Sequence, residues 1–180
     1  IFNGEIYNHL EVRKKFKFSC NSNSDTETIL HTYAQLGSSC LQEFDGMFVM
    51  AIYDRNKQEL FLARDRAGKK PLYYYSEGQA FVFSSELNAL RSQLDLRINE
   101  RHVQQYVRMG YFYKSSTPYT NVSELPGGSY ATVSLTQPGI RVTKWWNINS
   151  FYTKPDTDNF ATATEKVESI LHEAVRNRVE

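Results

Sequence analysis

Residues 47–53 (Met-Phe-Val-Met-Ala-Ile-Tyr) are apolar at every position and rich in β-formers, which constrains the fold more than any other feature of the chain. A strand with one wet face alternates apolar and polar residues. A strand apolar throughout has to be covered on both faces. Residues 58–64 form a second run, with Asp54-Arg55-Asn56-Lys57 as the turn between them. Two further hairpins are predicted: 72–75 with 80–83 around Ser76-Glu77-Gly78, and 129–135 with 140–146 around Thr136-Gln137-Pro138-Gly139.

Helical signals flank this block. Asn8 and Glu11 resemble a capping box before Leu10, Val12 and Lys15. Ser24-Asp25-Thr26-Glu27 is a better one, with Ile29, Leu30 and Tyr33 on one face and Gly37 as the stop. Helices are also predicted over 86–91 and from an Asn99 cap to Gly110. Residues 111–120 read as a loop, and 147–160 as a linker containing Pro155. A last helix opens at Thr162 and Glu165, with Val167, Ile170, Leu171, Ala174 and Val175 on one stripe. Strands beside helices without strict alternation predict an α+β fold with antiparallel sheets.

Composition narrows the function. The 21 Lys+Arg against 20 Asp+Glu leave no global field to hold a polyanion, which argues against nucleic-acid binding. No apolar run reaches the ~20 residues of a membrane span, so no membrane role is expected. Cys20 and Cys40 are too few for a disulfide scaffold. His9, His31, His102 and His172 show no metal spacing, and no metal site is expected. The chain opens Ile1-Phe2-Asn3 with neither Met nor a signal-peptide pattern. Residues 164–180 read as a helix that stops while still amphipathic. Both ends therefore read as cut, with trimming of a disordered start as the plainer alternative, and a cytoplasmic location is expected.

Asn3-Gly4-Glu5 is the most informative triplet. A glycine beside an asparagine lets the backbone approach a ligand and leaves its N–H free, so two donors can converge on one oxyanion. A tight turn at the end of a strand is the alternative. Asp25, in the first turn of its helix, either complements the macrodipole or holds a substrate ammonium. Residues 64–71 (Arg-Asp-Arg-Ala-Gly-Lys-Lys-Pro) lack the glycine-rich phosphate cradle and read locally as a solvated connection with internal ion pairs. Neither cysteine has an activating histidine nearby in sequence.

Taken together and in order, Phe2-Asn3-Gly4-Glu5-Ile6-Tyr7-Asn8, Ser24-Asp25-Thr26-Glu27, Phe44-Asp45-Gly46-Met47-Phe48, Arg64-Asp65-Arg66-Ala67-Gly68-Lys69-Lys70-Pro71-Leu72-Tyr73-Tyr74, Phe83-Ser84-Ser85-Glu86, Leu125-Pro126-Gly127-Gly128 and Trp145-Trp146 resemble the glutaminase domain of glutamine-hydrolysing asparagine synthetases. The resemblance implies a four-layer α/β/β/α sandwich of the N-terminal-nucleophile class, incomplete here. It divides the chain into a glutaminase domain over 1–148, a linker over 149–161, and the first helix of an ATP-pyrophosphatase synthetase domain over 162–180.

By the same resemblance, Asn3 and the Gly4 N–H form the oxyanion hole, while Glu5 and Asp25 contact the glutamine backbone, Asp25 at its α-ammonium. Glutamine is then the partner of this domain. Aspartate, ATP and Mg²⁺ belong to the synthetase domain, and a homodimer is compatible with the resemblance. The family's nucleophilic cysteine, its carboxylate-binding arginine and its Ser-Gly-Gly-x-Asp-Ser phosphate loop are not in this sequence, so the fragment alone is expected to be inactive. Leu125-Pro126-Gly127-Gly128 carries Gly where the family usually has a second Pro. Two rival readings stand beside this one: a related amidotransferase or cyclising synthetase with another carboxylate acceptor, and a degenerate, non-catalytic interaction module.

Overall fold

A computed structural model describes residues 1–137, 139–153 and 157–179. Pro138 of the predicted turn, residues 154–156 of the predicted linker including Pro155, and Glu180 at the end of the last helix lie outside the described residues. The chain divides into two compact units, Ile1–Trp146 and Asn147–Glu180.

In chain order the first unit contains β1 (Phe2–Ile6), α1 (His9–Phe16), α2 (Asp25–Leu36), a 3₁₀ segment (Gly37–Gln42), β2 (Gly46–Asp54) and β3 (Glu59–Arg64). It continues with β4 (Tyr73–Glu77), β5 (Ala80–Ser84), α3 (Leu87–Gln93), α4 (Glu100–Met109), β6 (Val122–Glu124), β7 (Ser129–Ser134) and β8 (Ile140–Lys144). Five strands form one sheet in the order β1-β2-β3-β7-β8, and three form another in the order β5-β4-β6. Every strand pair is antiparallel.

The continuous apolar run is β2, and it is covered on both faces as expected. Phe48 and Met50 face α1 and α2, packing with Val12, Ile29, Tyr33 and Phe44. The alternate residues Val49 and Ala51 face the second sheet, with Leu62, Leu72, Leu125 and, from its strands, Tyr74, Phe81 and Phe83. β3 splits in the same way: Phe61 and Ala63 belong to the helical side, Leu62 to the inter-sheet side. The period-two geometry of a strand thus builds a helix layer, a sheet and a second sheet from one hairpin. α3 packs against β5 and buries Leu90. This is a mixed α+β fold of antiparallel sheets, an incomplete four-layer sandwich.

Local signals worked unevenly. Ser24 caps α2 by accepting from Thr26 N at 3.3 Å, and Gly37 ends it at φ +56°. Glu27 does not close the box on Ser24. It reaches further back, accepting from Asn21 N and Ser22 N at 2.8 Å each and from Ser22 Oγ at 2.7 Å. The Asn21 N–H, then the Ser22 hydroxyl and N–H, hold its carboxyl down at about 2. Asn8 makes no cap on α1. Its side chain is spent on the chain entering β2, donating to Glu43 O and accepting from Asp45 N, both at 2.9 Å.

The 64–71 segment is solvated only in part: Ala67 and Lys69 are exposed, but its first two residues are not. Arg64 and Asp65 are buried, and they organise the loop from inside. Arg64 donates to the carbonyls of Lys70 (2.6 Å), Leu125 (2.5 Å) and Gly68 (2.6 Å) and pairs with Glu124 at 2.7 Å. The Asp65 carboxylate accepts from the N–H groups of Phe48, Lys69 and Lys70. Composition marks such a stretch as hydrophilic, but its charges serve main-chain groups that no strand partner reaches. β6 was not expected from the sequence, being three residues long and so too short to show a period.

The second unit holds α5 (Asn149–Tyr152), inside the stretch read as linker, and α6 (Phe160–Val179). α6 starts two residues before the expected Thr162, because Asn159 rather than Thr162 is the cap, its side chain accepting from Thr162 N at 3.0 Å. The stripe Val167, Ile170, Leu171 and Val175 is exposed, each residue by more than half.

Candidate active site at the edge of the five-stranded sheet

β1 is an edge strand, and the direction of its backbone groups follows from its register. Ile1 and Ala51 exchange two hydrogen bonds, Ile1 N to Ala51 O and Ala51 N to Ile1 O, both at 2.9 Å. Tyr7 N donates to Asp45 O at 2.8 Å. Bonded and non-bonded pairs alternate in an antiparallel ladder. The odd residues of β1 therefore turn their backbone toward β2, and Phe2, Gly4 and Ile6 turn theirs outward. Ile6 bears this out, since its N–H is taken by Asp25 Oδ2 at 3.1 Å. The Gly4 N–H faces the same open edge, about 7 Å along the strand from that carboxylate.

The Asn3-Gly4 pair is not a turn at the end of a strand. It lies inside β1, and the turn follows at Tyr7-Asn8. Gly4 has φ +153°, and a Cβ there would sit 2.2 Å from Met47 O and 2.6 Å from Phe48 Cα. Close strand approach is a structural demand for glycine. β2 is held at this point from its other side by Asp65, which accepts from Phe48 N at 3.2 Å.

Side chains alternate as well. Phe2 and Ile6 turn toward the helices. Asn3 and Glu5, both exposed, lie on the other face. Asn3 lines a cleft of about 230 Å³ whose walls include Val49, Ala51, Leu72, Phe83 and Ser84. The structure thus brings Asn3, Gly4, Glu5 and Asp25 to one strand edge, with Asp25 arriving from the first turn of α2. An apolar-walled cleft beside a few polar groups is the usual form of a small-molecule site.

Other candidates stand apart. Cys40 is fully buried, and desolvation pushes its thiol up to about 12. The His102 ring nitrogen Nδ1 lies 2.8 Å from Thr117 O, between α4 and the following loop. Sequence reasoning missed Asp65 as the residue that fixes β2 opposite Gly4. Its only sequence signal is its place within the Arg-Asp-Arg run.

An edge strand presenting an outward N–H beside a carboxylate, over a cleft between two stacked sheets, defines a candidate amide-binding scaffold. The profile of the glutamine amidotransferase domain matches residues 1–146, and the chain belongs to that family. It is 34% identical over 99% of its length to a Methanocaldococcus jannaschii protein with the provisional name asparagine synthetase (glutamine-hydrolyzing) 2. It is also 31% identical over 99% of its length to asparagine synthetase (glutamine-hydrolyzing) 3 of Bacillus subtilis. The chain spans 35% and 29% of these two proteins. The fold resembles that of glutamine phosphoribosylpyrophosphate amidotransferase from B. subtilis, at a TM-score of 0.57 and 18% identity over 81% of this chain and 28% of that one.

Proposed function

We propose that residues 1–148 bind glutamine and help hydrolyse its side-chain amide, delivering ammonia to a synthetase domain that amidates aspartate to asparagine. The observation that carries this reading is the shared edge: the Gly4 N–H, the Asn3 side chain and the Asp25 carboxylate surround one stretch of β1. When a thiolate adds to the amide carbon, charge collects on the carbonyl oxygen. The Gly4 N–H and Asn3 Nδ2 are the two donors for that oxyanion. Asp25 takes the α-ammonium and Glu5 supports the amino-acid end, so the zwitterion is held while its far end reacts. Neither Cys20 nor Cys40 supplies the thiolate, which on this reading comes from outside these 180 residues.

The 64–71 loop does not fit ATP and Mg²⁺. The sequence has no Ser-Gly-Gly-x-Asp-Ser loop, and the space at Gly68 is filled, a Cβ there meeting the Arg64 guanidinium and Gly127 Cα at 3.2 Å each. On this reading the two act in the synthetase domain, with 149–161 as the linker and 162–180 as that domain's first helix. On the same reading the protein is cytoplasmic and binds neither nucleic acid nor membrane, and a homodimer is compatible with it. No helix among the described residues is long and apolar enough to cross a membrane.

The test measures the full protein with glutamine and, separately, with ammonia as nitrogen donor. Asn3→Ala is expected to lower glutamine-dependent kcat by roughly 10²–10³-fold and leave ammonia-dependent turnover intact. Asp25→Asn keeps an acceptor for Ile6 N–H and loses the charge, so it is expected to raise KM for glutamine. Undiminished glutamine turnover in Asn3→Ala overturns the assignment.

A further inference from the structure

The strongest grouping of metal-ligating side chains outside the β1 edge lies where the chain turns into α2. Cys20 Sγ, a Glu27 carboxylate oxygen and a His31 ring nitrogen all lie within 4.8 Å of one another. Sequence spacing gave no hint of it, because Cys20 comes from the loop and only the fold swings it onto the helix. Glu27 and His31 stand one helical turn apart, with Glu27 Oε1 3.8 Å from His31 Nε2.

The geometry points to a Zn²⁺ site formed by Cys20, Glu27 and His31. Thiolate, imidazole and carboxylate together suit a borderline-soft divalent ion, and three protein ligands leave a fourth position for water. The surroundings hold these ligands in place. A carboxylate has about four acceptor positions. Three on Glu27 are used: Oε2 accepts from Ser22 N and Ser22 Oγ, and Oε1 from Asn21 N. The position left over is on Oε1, the oxygen nearest His31. Those three donors fix the carboxylate's orientation as outer-shell partners do in metal sites. Phe18 stacks on the His31 ring at 5.4 Å between centroids and 26° between planes, limiting its rotation. Cys20 and Glu27 are half-buried and His31 is exposed, which leaves the ion a way in from solvent.

An ion held here ties the 18–24 loop to the first two turns of α2. That is the segment that places Asp25 on β1, and the site is separate from the glutamine-binding role proposed above. It stands or falls without that role, because its ligands include none of Asn3, Gly4, Glu5 or Asp25.

The test uses the 180-residue chain, stripped of metal with a chelator and titrated with Zn²⁺ against a chromogenic competitor. Co²⁺ is then substituted as a spectroscopic probe. One equivalent of Zn²⁺ is expected, with a thiolate-to-cobalt charge-transfer band in the near ultraviolet. Cys20→Ser and His31→Gln are each expected to weaken binding by more than the roughly 10- to 100-fold that loss of an outer-shell partner costs. Cys20→Ser is also expected to abolish the band. Equal affinity in the unaltered chain and both variants overturns the proposal. So does a cobalt spectrum of the unaltered chain without the thiolate band, a readout that needs no variant to fold.

Discussion

Gly4 and Gly37 both have positive φ, yet the structure asks different things of them. At Gly37 an added Cβ meets nothing within 4 Å, so alanine there suffers only the backbone strain of φ +56°. At Gly4 the same atom lands on the main chain of Met47 and Phe48, which cannot give way without unzipping β1 from β2. Gly37→Ala is therefore expected to cost about 1 kcal/mol in urea unfolding. Gly4→Ala is expected to cost about 3 kcal/mol or more. Equal midpoint shifts would refute this account. The dipeptide Asn3-Gly4 was visible in the sequence, and so were its two alternative meanings. What decides between them is the main chain of β2, brought alongside by pairing that no local pattern encodes. Asp25 was likewise legible as a first-turn acid, but its bond to Ile6 N joins two separate elements.

At the level of elements, strand and helix signals read well where period and capping acted over several residues. The β2–β3 hairpin, the α2 start at Ser24 and the α4 cap at Asn99, which accepts from His102 N at 3.2 Å, all follow from local chemistry. Connections read poorly. The loop after β3 was legible as charged, and the burial of its Arg64 was not, because Arg64 answers carbonyls from two separated stretches, Gly68 and Lys70 on one side and Leu125 on the other. Replacing Arg64 with Met removes those bonds and leaves Glu124 without its closest partner. A loss of about 3 kcal/mol or more is expected in denaturant titration, since three carbonyls held by the buried guanidinium lose their donor at once. A loss below about 1 kcal/mol would mean that water replaces the guanidinium freely.

On the scale of the whole molecule, the buried hydrophobic residues among those described all belong to Ile1–Trp146, and all but Leu90 and Val122 fall into two clusters. Cys40 lies in the cluster under the helices and Leu62 in the cluster between the sheets. A buried thiol held near 12 reacts with a disulfide reagent only after it is exposed. Its raised value also has a sign. The folded state keeps the proton that the unfolded thiol loses above its ordinary 9.0, so stability falls as pH climbs from about 9 toward 12. At neutral pH, Leu62→Ala is expected to destabilise by about 2–5 kcal/mol. It is also expected to speed Cys40 labelling in proportion to global unfolding, although Leu62 belongs to the other cluster. Unchanged labelling would show that the clusters open separately.

The reason for that expectation is β2, whose even residues serve one cluster and whose odd residues serve the other. A wall common to two rooms cannot be removed from one of them alone. The helical side cannot melt while the inter-sheet side stays ordered, so partly opened forms are scarce and both halves are lost in a single step.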